Sequence, residues 1–187
     1  MYRIDGAAVC RILADLDLAP ANRQLANYWL SLCDDGQIPA RSMIRPGALR
    51  SLLPNLILFD VVPDRSVTVR LAGTTFRAVL GIDLTGKDWI ALAPENYRSR
   101  RLAIFSEIAA GALGRGIRHV EMDWPNDYSC EEFMLPFRAE PDETAAAVIC
   151  HVDWKLKGDF TPIKSRSQAM GAALAFETIP LPRLKAA

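Results

Sequence analysis

The amino-acid sequence predicts an α+β fold, on three observations. Apolar residues recur at helical spacing near the N-terminus and again around residue 100. Between and after these stretches the pattern changes to short runs rich in β-branched residues, bounded by proline, glycine and aspartate. In the last of those runs both faces carry apolar side chains, so the sheet it belongs to needs cover on two sides.

The elements follow in order. Ile4, Val9, Ile12, Leu13 and Leu16 are spaced mostly by three and four, which predicts a short amphipathic helix stopped at Pro20. Asn22 is the expected cap of a second helix, whose stripe of Leu25, Tyr28, Trp29 and Leu32 runs toward Gly36. Pro39, Pro46 and Pro54 punctuate a connection in which Ala48 to Leu53 suits one helical turn. Residues 56–62 and 67–72 then read as a hairpin turning at Pro63-Asp64-Arg65. Gly73 to Leu92 is broken by Gly81 and Gly86 and suits short helical turns. Pro94 opens a longer helix through Leu102, Phe105, Ala109 and Ala112, ended by Gly114 or Gly116. Three strands are expected at 117–124, 129–138 and 145–154, joined by turns at Pro125-Asn126-Asp127 and Pro141-Asp142-Glu143. In the last strand Val148, Cys150, Val152 and Trp154 share one face, and Ala147, Ile149, His151 and Asp153 the other. One face can pack on the long helix, the other on the N-terminal helices or on a second subunit. Beyond Gly158 the composition turns to linker, with a short helix expected over Gln168 to Phe176 in a peripheral tail. The expected organisation is therefore a helical extension over 1–36, a core over 37–156 and a tail over 157–187.

A chain of 187 residues, 50% hydrophobic and 24% charged, suits one domain with a real core. Its 22 basic and 22 acidic residues balance, without the basic excess that phosphate backbones select, so a dedicated nucleic-acid binder is not expected. Cys10, Cys33, Cys130 and Cys150 are scattered without metal or redox spacing and read as reduced thiols. Arg3, Asp5, Arg11, Asp15 and Asp17 break up any apolar signal segment, and no apolar stretch approaches a membrane span. A cytoplasmic protein is the expectation. Eight carboxylates against Arg138 alone make residues 121–143 acidic, while the stretch from Lys157 onward is basic, so zero net charge hides a dipolar surface.

Several short motifs, in order, carry a family resemblance. Trp29, Pro39-Ala40-Arg41 and Pro46 precede Leu52-Leu53-Pro54-Asn55 and Asp60; Arg70-Leu71-Ala72-Gly73-Thr74 and the glycine-bracketed Gly81-Ile82-Asp83-Leu84-Thr85-Gly86 follow. Over about residues 25–155 this resembles the PAS domain, in particular a group of small alphaproteobacterial PAS-like proteins. The resemblance implies a five-stranded antiparallel sheet in spatial order 2-1-5-4-3 with helices packed on one face. It also implies a sensory or protein-interaction module, with a cavity between the sheet and the long helix. The lining expected here is Trp89, Phe105, Val120, Met122, Trp124, Val148 and Val152, open to a small hydrophobic ligand or simply a filled core.

Chemistry in that cavity would need side chains that the alternation directs elsewhere. Haem requires an axial ligand, and His119 and His151 both alternate with the inward residues. The cysteine context of a flavin photoreceptor is missing before the long helix. Cys150 and His151, adjacent on a strand, face opposite ways and cannot share a metal. The acidic run from Glu121 to Glu143 reads as a solvated face, and Arg98, Arg100 and Arg101 as an ordinary helix surface rather than an anion grip. The expected function is a non-catalytic PAS-like regulator that forms a homodimer and acts on a signalling protein in trans. Leu25, Tyr28, Trp29 and Leu32 are its candidate dimer interface, unless they cover their own sheet. Two other readings stand beside it: a small cavity enzyme of the nuclear-transport-factor-like cone type, for which Asp60 or Asp153 would supply the carboxylate, and a ligand-free structural adaptor.

Overall fold

A computed structural model describes residues 3–34, 36–120, 128–140, 142–156 and 175–184. Two helices, α1 (Gly6–Asp15) and α2 (Pro20–Leu32), lead through short 3-10 turns to the hairpin β1 (Leu56–Val62) and β2 (Ser66–Ala72). Then come α3 (Thr74–Leu80), α4 (Glu95–Ala109), β3 (Ala112–Val120), β4 (Tyr128–Phe137), β5 (Ala146–Leu156) and β6 (Ala175–Pro180). The fold is α+β around one antiparallel sheet in the order β2-β1-β5-β4-β3-β6. Its first five strands keep the expected 2-1-5-4-3 order. The sixth is an addition.

That sixth strand corrects the reading of the tail as peripheral. Phe176 reaches back over β3, where two glycines leave room for its ring: a Cβ at Gly116 would lie 2.6 Å from Phe176 Cδ2, and one at Gly114 would lie 2.7 Å from Ile108 Cδ1. These glycines belong to β3 and do not end the long helix. Gly111 does, at φ 103°, a left-handed value that only glycine adopts without strain. Of the helix expected over Gln168 to Phe176, residues 168–174 lie outside the described residues, and Ala175 and Phe176 begin β6. The chain ends also meet, with Asp5 N donating to Pro182 O at 2.8 Å and Leu184 N to Arg3 O at 2.8 Å.

The period-two alternation of the strands splits the interior into two cores. Ile57, Phe59, Val67, Val69, Met134, Val148, Cys150 and Val152 face α3, α4 and the loop between them. Leu56, Phe133, Leu135, Phe137, Ala147 and Ile149 face α1 and α2. Helices thus cover both faces of the sheet. Leu25 and Trp29 are buried completely in the second core, and the Trp29 indole donates to Pro136 O at 2.7 Å. This corrects the dimer-interface expectation for the α2 stripe, since it covers its own sheet; only Tyr28 and Leu32 keep partial exposure. Nor do residues 1–36 form a separate extension, because Ile4, Val9 and Leu13 share that core with Leu181.

Asn22 is not a cap. Pro20 starts α2, and Asn22 is buried within it. The carbonyls left open at the end of α1, Leu13 O and Leu16 O, accept instead from the Arg23 guanidinium of α2.

Candidate functional site

The face of the sheet toward α3 and α4 holds a pocket. Its floor is Ile57, Phe59, Phe76, Leu80, Met134, Cys150 and Val152, all buried, and the half-buried Trp89, Glu132 and Trp154 form its rim. The floor is apolar because each contributing strand sends alternate residues inward, and because Phe76 and Leu80, four apart on α3, fall on one face of that helix. The enclosed volume is about 30 Å³, room for a water molecule or two as packed.

Aromatic contacts define one wall. Phe59 lies between Trp89, at a centroid distance of 5.3 Å, and Phe105, edge-on at 4.8 Å. Phe76 meets Trp154 edge-on at 5.9 Å. Trp89 is held there by a strap along the outer edge of β2: Gly86 N donates to Val69 O at 2.7 Å, Val69 N to Lys87 O at 3.0 Å and Trp89 N to Val67 O at 2.8 Å. Arg101 pins the strap from α4. Its guanidinium lies 5.0 Å from the Trp89 ring and 5.4 Å from the Tyr97 ring, and Nη1 donates to Trp89 O at 3.0 Å. Arg98 adds bonds to Ala93 O at 3.1 Å and Ala91 O at 3.3 Å. Of the arginines read as open helix surface, Arg98 and Arg100 are exposed, whereas Arg101 is only 3% exposed and ties the strap to α4.

Of the expected lining, Trp89 and Val152 meet in the pocket. Phe105 and Val148 lie in the same core behind it. The Val120 side chain, Met122 and Trp124 lie outside the described residues, as does the His119 side chain. The alternation of the last strand already pointed to Cys150 and Trp154, whereas Glu132, read as part of a solvated acidic face, stands on the pocket rim beside Met134. Ile57, Phe76 and Leu80 needed the strand register and the position of α3.

His151 belongs to the opposite face, where it is buried rather than outward. Its Nδ1 lies 2.7 Å from Asn22 Oδ1, and Asn22 Nδ2 donates to Glu131 O at 3.4 Å. That second bond orients the amide, so the imidazole donates through Nδ1. Burial pushes the His151 pKa down to about 4, partly opposed by the negative charge of Glu131. Glu131 itself leaves the solvated face assigned to the acidic run: its carboxylate accepts from Arg115 Nε at 3.0 Å and from Ala19 N at 2.8 Å. Asp60 also points away from the pocket, bonded to Arg41 at 3.3 Å and Arg70 at 3.1 Å. Asp153, which pairs with Glu131 across the β4–β5 ladder, is half-buried and not among the lining residues. Among the described residues no group of three or more metal-ligating side chains comes together.

The β2-β1-β5-β4-β3 order is the one the resemblance implied for the PAS fold, and the family comparison agrees with it. The PAS domain model matches residues 18–150, so the chain belongs to the PAS domain family. None of the curated proteins matches the chain significantly. Membership supports a sensory or regulatory role in signal transduction, of the kind PAS domains commonly exert through protein contacts. Among the described residues no helix is long and apolar enough to cross a membrane.

Proposed function

We propose that this protein is a non-catalytic sensory module that takes a small apolar molecule into the pocket over β1, β4 and β5 and passes its occupancy to a partner protein by contact. The observation that carries this reading is the pocket wall. It is apolar throughout its floor, and its one loop-borne aromatic, Trp89, sits on a strap held to β2 by backbone hydrogen bonds and to α4 by Arg101. A guest larger than water moves that strap, and the strap's outer surface is where a partner would read the change. The two carboxylates considered for cavity acid–base work lean the same way: Asp60 is tied to Arg41 and Arg70, and neither it nor Asp153 lines the pocket. Free thiols at all four cysteines fit a reducing cytoplasm. The module works as a homodimer through a surface other than the α2 stripe; Leu71, 46% exposed on β2, marks one candidate.

Native mass spectrometry of freshly purified protein tests both parts. The expected result is a dimer that retains, or takes up on addition, a small apolar molecule. A monomer that takes up none of a panel of such molecules at millimolar concentration would overturn the proposal.

A further inference from the structure

One of the side chains that line the pocket carries a buried polar atom without a partner among the described residues. The Trp154 indole Nε1 is buried, and no side chain or carbonyl among the described residues accepts its hydrogen bond. Trp29 shows how the chain otherwise treats a buried indole, by giving it the Pro136 carbonyl at 2.7 Å. An indole N–H only donates, so what satisfies it must be an acceptor. The floor is apolar throughout, so an ionised guest would give up its hydration there without a paired charge. We propose that the pocket takes a neutral, mainly apolar molecule carrying one hydrogen-bond acceptor, a carbonyl or ether oxygen, to which the Trp154 indole N–H donates. This rests on the reading of the pocket as a ligand site and adds the chemistry by which it selects. The apolar body lies against Phe59, Phe76, Met134 and Val152, and Trp89, half-buried on its strap, yields the space.

Two probes of matching body separate the two claims: toluene, and acetophenone, which adds a carbonyl. Each is titrated into the full-length ¹⁵N-labelled protein while the tryptophan indole resonances are followed, with Trp154 assigned from Trp154→Phe. The expected result is a saturable shift of the Trp154 resonance with acetophenone, while that of Trp29 stays still. Trp154→Phe should weaken acetophenone about five- to tenfold, the worth of one neutral hydrogen bond, and leave toluene within about twofold. Equal binding of both probes to both proteins overturns the role of the indole and leaves the pocket standing as a ligand site. Neither probe binding to the wild type overturns the ligand-site reading and this proposal with it. Should Trp154→Phe fail to fold, acetophenone binding no tighter than toluene to the wild type, with the Trp154 resonance unmoved, is the overturning result.

Discussion

His151 sits where protonation is costly. It is buried against Asn22 of α2, and the charge that faces it, Glu131, is already engaged by Arg115. Its pKa of about 4 in the fold lies below the ordinary value of 6.5, so the unfolded chain takes up a proton before the native chain does. Stability supplied by the neutral imidazole is complete above about pH 6.5 and drains away as the pH falls toward 4. Over that window the loss is about 3 kcal/mol. Denaturant midpoints at pH 7 and pH 4.5 should differ more in the wild type than in His151→Gln, which keeps a polar group beside Asn22 but does not titrate. Equal pH dependence in the two proteins would show that His151 is not the group responsible. This site was half legible in the sequence. Alternation placed His151 opposite Val148 and Val152, but whether that face met water or a helix depended on where residues 20–32 pack, more than a hundred positions away.

At the scale of elements, the α3–α4 connection shows what local pattern reading misses. The glycines at 81 and 86 correctly excluded a long helix, yet residues 86–89 bond to the edge of β2 without any β-branched run of their own. They are held by what comes later, the guanidinium of Arg101 between Trp89 and Tyr97. The same limit explains the boundary between α4 and β3. Ala112 continues the helical spacing of Leu102, Phe105 and Ala109, and nothing local says that β3 begins there, because Gly114 and Gly116 are glycines for the sake of Phe176 and Ile108. Arg101→Gln removes the cation and its grip on the Trp89 carbonyl, a loss of about 1–3 kcal/mol. Amides of residues 86–91 should then exchange with deuterium faster than in the wild type, beyond any change in the β5 amides. Unaltered exchange in the strap would mean that the β2 edge bonds hold it alone and that Arg101 is not the pin.

On the scale of the whole molecule, the segments that read as extension, core and tail share one interior. The PAS sheet needs cover on both faces. α3 and α4 supply only one, and the other falls to α1, α2 and the C-terminal Leu181. A chain shortened to residues 37–156 would expose Phe133, Leu135, Phe137 and Ile149, each now almost inaccessible. At roughly 1.5–3 kcal/mol for each large apolar side chain, the loss is comparable with the ~5–15 kcal/mol total stability of an ordinary domain. That shortened chain is therefore expected to lose its cooperative thermal transition and to bind hydrophobic dyes such as anilinonaphthalene sulfonate. Removing residues 157–187 alone should cost less, since it strips β6 and Leu181 but leaves α1 and α2 on the sheet. If residues 37–156 melt cooperatively near the full-length temperature, the N-terminal helices are an appendage, and the α2 stripe becomes available again as a surface for a second copy. A chain that unfolds without them instead makes α1 and α2 part of the sensor itself, so that a signal reaching the second face of the sheet must pass through helices this chain cannot do without.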